Sequence, residues 1–273
     1  MATCYRHPSR ETAVSCSSCG RPICPDCMTP TPVGMRCPEC SKQGTRVMTM
    51  RNMATRPRVT FGLIALNVLA FLSEEGQLSI SGSAIHGPVI ENGVLYRYAV
   101  GVEDQYWRLL TSGFLHENLL HIAFNMYLLY LLGMMLEPAL GSVKFAAIYF
   151  TSLLAGSFGA LFATGAPSLG ASGAIFGLMG AAVVELRARR MSVMESGIGG
   201  LIVINLILSF TLANISVGAH IGGLIGGALA GLAIRTADDR HRSWLGLAAC
   251  AALSAASVVG AIAVAGSTAA GIA

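Results

Sequence analysis

Apolar residues fall in long runs beyond residue 58 and are sparse before it. The runs lie near Val59–Ser73, Leu119–Leu136, Val143–Ala163, Ser172–Leu186, Ile198–Ala213, Val217–Ile234 and Trp244–Ala265. Crossing the hydrocarbon core takes roughly 20 largely apolar helical residues. The pattern therefore predicts seven spanning helices, of which the first and fourth are short. The last is rich in Ala, Gly and Ser. Met1 to Arg10 is polar and lacks the apolar core of an export signal, so insertion is expected to begin near Val59.

Composition agrees. Of 273 residues, 53% are hydrophobic and 12% charged, about half the charged fraction of a soluble domain. Mean hydropathy is +0.62. The expected class is an all-α polytopic membrane protein preceded by a small zinc-binding domain. The segments are a head (1–45), a basic linker (46–58), a membrane core (59–235), and a linker with the seventh helix (236–273). A lipid bilayer is the expected surrounding, and no nucleic acid is expected.

Loop charge sets the orientation. Arg46, Arg51, Arg56 and Arg58 precede the first run, Lys144 follows the second, Arg187, Arg189 and Arg190 follow the fourth, and Arg235, Arg240 and Arg242 follow the sixth. Residues 74–118 instead carry Glu74, Glu75, Glu91, Glu103, Asp104 and Glu117 against Arg97 and Arg108. The N-terminus is therefore expected in the cytoplasm and the long first loop outside. Seven spans would put the C-terminus outside as well.

The head holds Cys4-x2-His7, Cys16-x2-Cys19, Cys24-x2-Cys27 and Cys37-x2-Cys40. These eight ligands suffice for two tetrahedral, thiolate-rich zinc ions. A disulfide framework is disfavoured on the reducing side of the membrane. The pattern resembles B-box zinc fingers, which implies interleaved sets: Cys4, His7, Cys24 and Cys27 on one ion, and Cys16, Cys19, Cys37 and Cys40 on the other. Tandem pairing is the alternative. With every ligand position filled by protein, both ions are expected to be structural, and the head a docking module for a cytoplasmic protein. Cys250, in the last run, is expected to pack.

Polar groups inside spans are costly and mark candidate chemistry. Ser172 opens the fourth run in Gly170-Ala171-Ser172-Gly173, and His220 lies near the external end of the sixth. His116, His121 and Asn125 lie at the external half of the second. All five converge on one membrane face. Ser172 with His220 suggests a nucleophile and its base, and no Asp or Glu stands at that depth to complete a triad. The helix start at Ser172 supplies unpaired N–H groups. His121 and Asn125 share a helix face as further donors for an oxyanion. Phe176, one turn after Ser172, is placed to stack on His220. Gly223, Gly227 and Gly231, with Gly218, Gly222 and Gly226, form small-xxx-small rows that let helices approach closely. Each of these residues also has a plain packing role open to it.

From about Val59 to Arg235 the chain resembles the rhomboid intramembrane serine proteases. The shared features are Trp107-Arg108, His116-x4-His121-x3-Asn125, Glu137 with Gly141, Gly170-x-Ser172-Gly173, and Ala219-His220-x2-Gly223-x3-Gly227. The resemblance implies a six-helix core with Ser172 as nucleophile and His220 as base. It implies an oxyanion site from the Ser172 N–H with His121 and Asn125. Substrates would be single-span membrane proteins, cut after a small residue near the external face, with no cofactor for catalysis. Phe176 stands where the family often has Tyr. The seventh helix and the head fall outside the resemblance. Rival readings are an inactive rhomboid-like protein that binds clients, and a zinc-head adaptor tethered to the membrane.

Overall fold

The computed structural model describes residues 2–32, 34–42, 57–73, 87–163, 166–211 and 215–269. Most of the basic linker 46–58 and the acidic stretch with Glu74 and Glu75 lie outside them. The chain divides into two compact units, Met1–Ala54 and Thr55–Ala273.

In the first unit β1 (Ala2–Thr3) pairs antiparallel with β2 (Glu11–Thr12), β3 (Thr29–Thr31) pairs with β4 (Gly34–Arg36), and α1 (Pro38–Lys42) follows. Its buried cluster is Ile23 with Cys4, Cys16, Cys24, Cys27, Cys37 and Cys40. A core made almost wholly of thiols buries too little hydrocarbon to hold so short a chain, so its stability depends on what those thiols bind. Thr12 Oγ1 donates to the Ile23 carbonyl at 2.8 Å, and Tyr5–Glu39 and Arg10–Asp26 pairs close the exposed side.

The second unit is helical. Its elements are α2 (Arg58–Leu72), α3 (Pro88–Gly93), α4 (Arg97–Gly101), α5 (Arg108–Thr111), α6 (Leu119–Leu140), α7 (Ser142–Ala163), α8 (Ser172–Ala188), α9 (Ile198–Thr211), α10 (Val217–Asp239) and α11 (Ser243–Ala269). Among the described residues, four helices (α6, α7, α10 and α11) are long and apolar enough to cross a membrane. Helices α2, α8 and α9 have 15, 17 and 14 residues. Large apolar side chains such as Phe61, Leu69, Phe210 and Val259 are more than half exposed, as lipid-facing positions are.

Helix α8 is buried without a break from Gly173 to Ala182. That suits a sequence small and apolar on all sides. Helix α10 lies against it and against α7 through two separate glycine rows. An added Cβ at Gly223 or Gly227 would sit 2.0 or 2.1 Å from the carbonyl oxygen of Gly173 or Gly177 on α8. One at Gly218 or Gly222 would sit 2.3 or 2.5 Å from the carbonyl oxygen of Gly159 or Ala155 on α7. The two rows expected from spacing thus serve two different neighbours, and α10 is the wedge between them.

Polar contacts fix the ends. The Glu137 carboxylate, fully buried, accepts from the Val59 and Thr60 N–H groups at 2.9 and 2.8 Å and from the Thr60 and Ser142 hydroxyls. It thereby caps the start of α2 from the end of α6. Helix α11 is bound to α7 where Thr151 Oγ1 meets the Cys250 carbonyl at 3.2 Å and Ser254 Oγ at 3.0 Å. Cys250 itself is buried in packing.

The loop between α2 and α6 is stapled by Arg108, which is 3% exposed. Its Nη1 donates to the Glu91 and Val94 carbonyls at 2.8 Å each, and its Nε to Gln105 Oε1 at 2.6 Å. Trp107 Nε1 donates to the Asn92 carbonyl at 3.0 Å. A two-way backbone bridge joins Leu95 to Ser168, and Gly170 N–H donates to the Ser112 carbonyl. Trp107 and Arg108 thus hold the loop to which the turn before Ser172 is tied.

Candidate active site and metal centres

Ser172 is the first residue of α8, and the turn before it depends on Gly170. Its φ of +118° is strained for any side chain, and a Cβ there would lie 2.8 Å from His121 Nε2 and 3.9 Å from Ser172 Oγ. The bare Gly170 Cα is what lets the His121 ring come up beside the serine. His220 sits in the first turn of α10, where the Ser216 side chain caps the helix by accepting from the Ala219 N–H at 3.3 Å.

These placements bring His220 Nε2 to 2.7 Å from Ser172 Oγ. The Phe176 ring stacks on His220 with centroids 4.2 Å apart and planes 19° from parallel. His220 is 6% and Phe176 2% exposed, so the pair works in a low-dielectric setting where hydrogen bonds are strong.

His121 is half-buried, and its ring meets His116 edge-on at 5.0 Å. His116 is fully buried, and neither of its ring nitrogens has a hydrogen-bond partner among the described residues. Asn125, one turn on, donates its amide to the His121 carbonyl at 3.1 Å. A cavity lined by Leu95, Ser112, Leu153, Gly156, Gly170 and Gly173 lies next to the turn that carries Ser172, whose own side chain is not part of the lining.

Sequence reasoning passed over one residue. Ser209 on α9 places its Oγ 2.5 Å from His220 Nδ1. The signal was present, because Asn205 and Ser209 are polar residues four apart in an apolar run.

In the head, the ligand atoms gather as Cys4, His7, Cys24 and Cys27, and as Cys16, Cys19, Cys37 and Cys40. This is the interleaved arrangement and not the tandem one. Both groups fit a tetrahedral metal. Bonds of about 2.3 Å to sulfur and about 2.0 Å to nitrogen imply ligand-to-ligand edges of about 3.8 and 3.6 Å. Cys19 Sγ and Cys37 Sγ are 3.8 Å apart, and His7 Nδ1 lies 3.3, 3.5 and 4.0 Å from the sulfurs of Cys24, Cys27 and Cys4. The sulfur separation is far too long for a disulfide, and all these cysteines are free thiols. The Cys37 N–H donates to the Cys16 sulfur at 3.3 Å, a contact that favours the thiolate a metal needs.

The Rhomboid domain family model matches residues 103–237. That range includes His116, Ser172 and His220 and leaves out the head and α11. The chain is 36% identical over 182 residues to Rhomboid protease GluP of Bacillus subtilis (strain 168), covering 66% of this chain and 35% of that protein. It is 32% identical over 150 residues to Putative rhomboid protease YdcA of the same organism, covering 53% of this chain and 75% of that protein. It is also 35% identical over 161 residues to Inactive RHOMBOID-like protein 8 of Arabidopsis thaliana, covering 56% of this chain and 44% of that protein. The chain thus spans less than half the length of two of these three relatives.

Proposed function

The chain belongs to the rhomboid family, and from that membership we propose that it is a serine endopeptidase cleaving single-span membrane proteins with a Ser172–His220 dyad. One observation carries the reading: the 2.7 Å approach of His220 Nε2 to Ser172 Oγ, across helices in glycine-to-glycine contact.

In the proposed reaction Ser172 Oγ attacks the scissile carbonyl while His220 Nε2 takes its proton. The imidazolium returns that proton to the leaving amine, and water then repeats the cycle on the acyl-enzyme. Negative charge on the substrate oxygen is met by the Ser172 N–H at the helix start, with His121 and Asn125 as further donors. No cofactor is assigned to catalysis.

Seven spans are proposed, with the N-terminus cytoplasmic, the site near the external face and the C-terminus external. The alternation of basic loops supports this orientation. The shortness of α8 fits a helix surrounded by protein, which has no need to match the hydrocarbon thickness. The head is read as a B-box-like module in which the two cysteine groups hold structural Zn2+ and the surface receives a cytoplasmic protein partner. Bound zinc would supply the cross-links that fold the head and no chemistry.

The relative named inactive favours one second reading, a client-binding protein that does not cut. A fluorophosphonate probe separates the two. Purified wild-type protein in detergent is expected to label, and Ser172→Ala is expected not to. Equal signal from both would remove the protease reading and leave the client-binding one.

A further inference from the structure

His220 has two ring nitrogens, and only Nε2 faces Ser172. A dyad without an acid leaves open what holds the other nitrogen. Nδ1 lies 2.5 Å from Ser209 Oγ on α9, a side chain only 3% exposed. The same oxygen lies 2.6 Å from the carbonyl oxygen of Asn205, one turn earlier on α9.

Counting protons fixes the direction of each bond. A carbonyl oxygen only accepts, so the one Ser209 hydroxyl proton goes to the Asn205 carbonyl. Ser209 Oγ is then left as an acceptor toward His220, so Nδ1 must carry the hydrogen. A neutral imidazole protonated at Nδ1 has its lone pair at Nε2, which is the atom facing the Ser172 hydroxyl. The chain of donors runs in one direction, from Ser172 Oγ–H to Nε2, and from Nδ1–H to Ser209 Oγ–H to the Asn205 carbonyl. With Phe176 stacked on the ring face at 4.2 Å, both edges and one face of the imidazole are held.

We infer that Ser209 is a positioning residue for the hydrolysis, setting the tautomer and orientation in which His220 acts as a base. The inference rests on the protease reading. It assigns Ser209 no proton transfer. When Nε2 takes the Ser172 proton, the imidazolium keeps Nδ1–H on Ser209 Oγ, and the added proton leaves from Nε2 to the departing amine. Because Ser209 is uncharged, it orients the ring without supplying a counter-charge to the imidazolium. A helical serine often bonds back to its own i−4 carbonyl. That habit is what turns the Ser209 oxygen into an acceptor here.

The test uses full-length protein in detergent. Ser209→Ala is expected to lower kcat on a transmembrane model substrate, and the rate of fluorophosphonate labelling, by about 10-fold to 100-fold, the size expected for a hydrogen bond to a group that becomes charged. KM should stay unchanged, and Ser209→Thr should restore most of the rate. Nitrogen-15 NMR of labelled histidine, assigned against His220→Gln, should find His220 protonated at Nδ1 in the wild type and mixed in Ser209→Ala. A wild-type His220 protonated mainly at Nε2 would overturn the inference without recourse to any variant. So would wild-type labelling by a well-folded Ser209→Ala. Failure of the wild type itself to label would instead count against the protease reading, and the NMR result would still decide whether Ser209 sets the tautomer.

Discussion

Gly223 and Gly173 meet backbone to backbone: a Cβ on Gly223 would lie 2.0 Å from the Gly173 carbonyl oxygen. Their neighbours in sequence include His220 and Ser172. The distance between Ser172 Oγ and His220 Nε2, 2.7 Å, is therefore set by the absence of a side chain one turn away.

Gly223→Ala is the direct consequence. A methyl group cannot fit against backbone, so α8 and α10 must separate, at a cost of about 1–3 kcal/mol for overpacking. A shift of about 1 Å at the dyad is worth roughly 100-fold in rate. Fluorophosphonate labelling should fall to that extent, with a lowered thermal midpoint in detergent. Ile225→Ala, at a position 55% exposed, should change neither.

Phe176 offers a smaller effect. Its stacking on His220 is worth about 0.5–1.5 kcal/mol. Phe176→Leu, which keeps bulk but not the ring, should therefore lower kcat about 2-fold to 10-fold. Phe176→Tyr keeps the ring and should stay close to wild type. Steady-state cleavage of a transmembrane model substrate measures both.

Gly170→Ala should combine two faults: φ of +118° and a Cβ 2.8 Å from His121 Nε2. The backbone strain alone costs about 1–3 kcal/mol. Displacement of His121 should reduce kcat further than the loss of stability explains, and the ratio of labelling rate to folded fraction would reveal it.

Metal removal should act on the head and spare the dyad. Elemental analysis of protein purified without added metal is expected to find two zinc ions per chain. Stripping them with a chelator should open residues 2–42 to limited proteolysis, because thiols form most of that core. Fluorophosphonate labelling at Ser172 should persist. Its loss on chelation would tie the head to the catalytic unit.

The sequence by itself determined the helices, because hydrophobic length and glycine spacing are local properties: the seven runs match α2 and α6 to α11 with shifts of a few residues at their ends. It also marked Ser172, His220, His121, Asn125 and the eight head ligands, since polar groups in apolar runs and paired cysteines stand out by type and spacing. Tertiary structure decided what spacing cannot encode. It sent the two glycine rows of α10 to different helices, placed Arg108 on the Glu91 and Val94 carbonyls, and chose interleaved over tandem grouping of the cysteines. It also put Ser209 against His220 Nδ1. Each of these depends on which element packs beside which, and that follows from complementary surfaces across the whole unit, which no one segment carries.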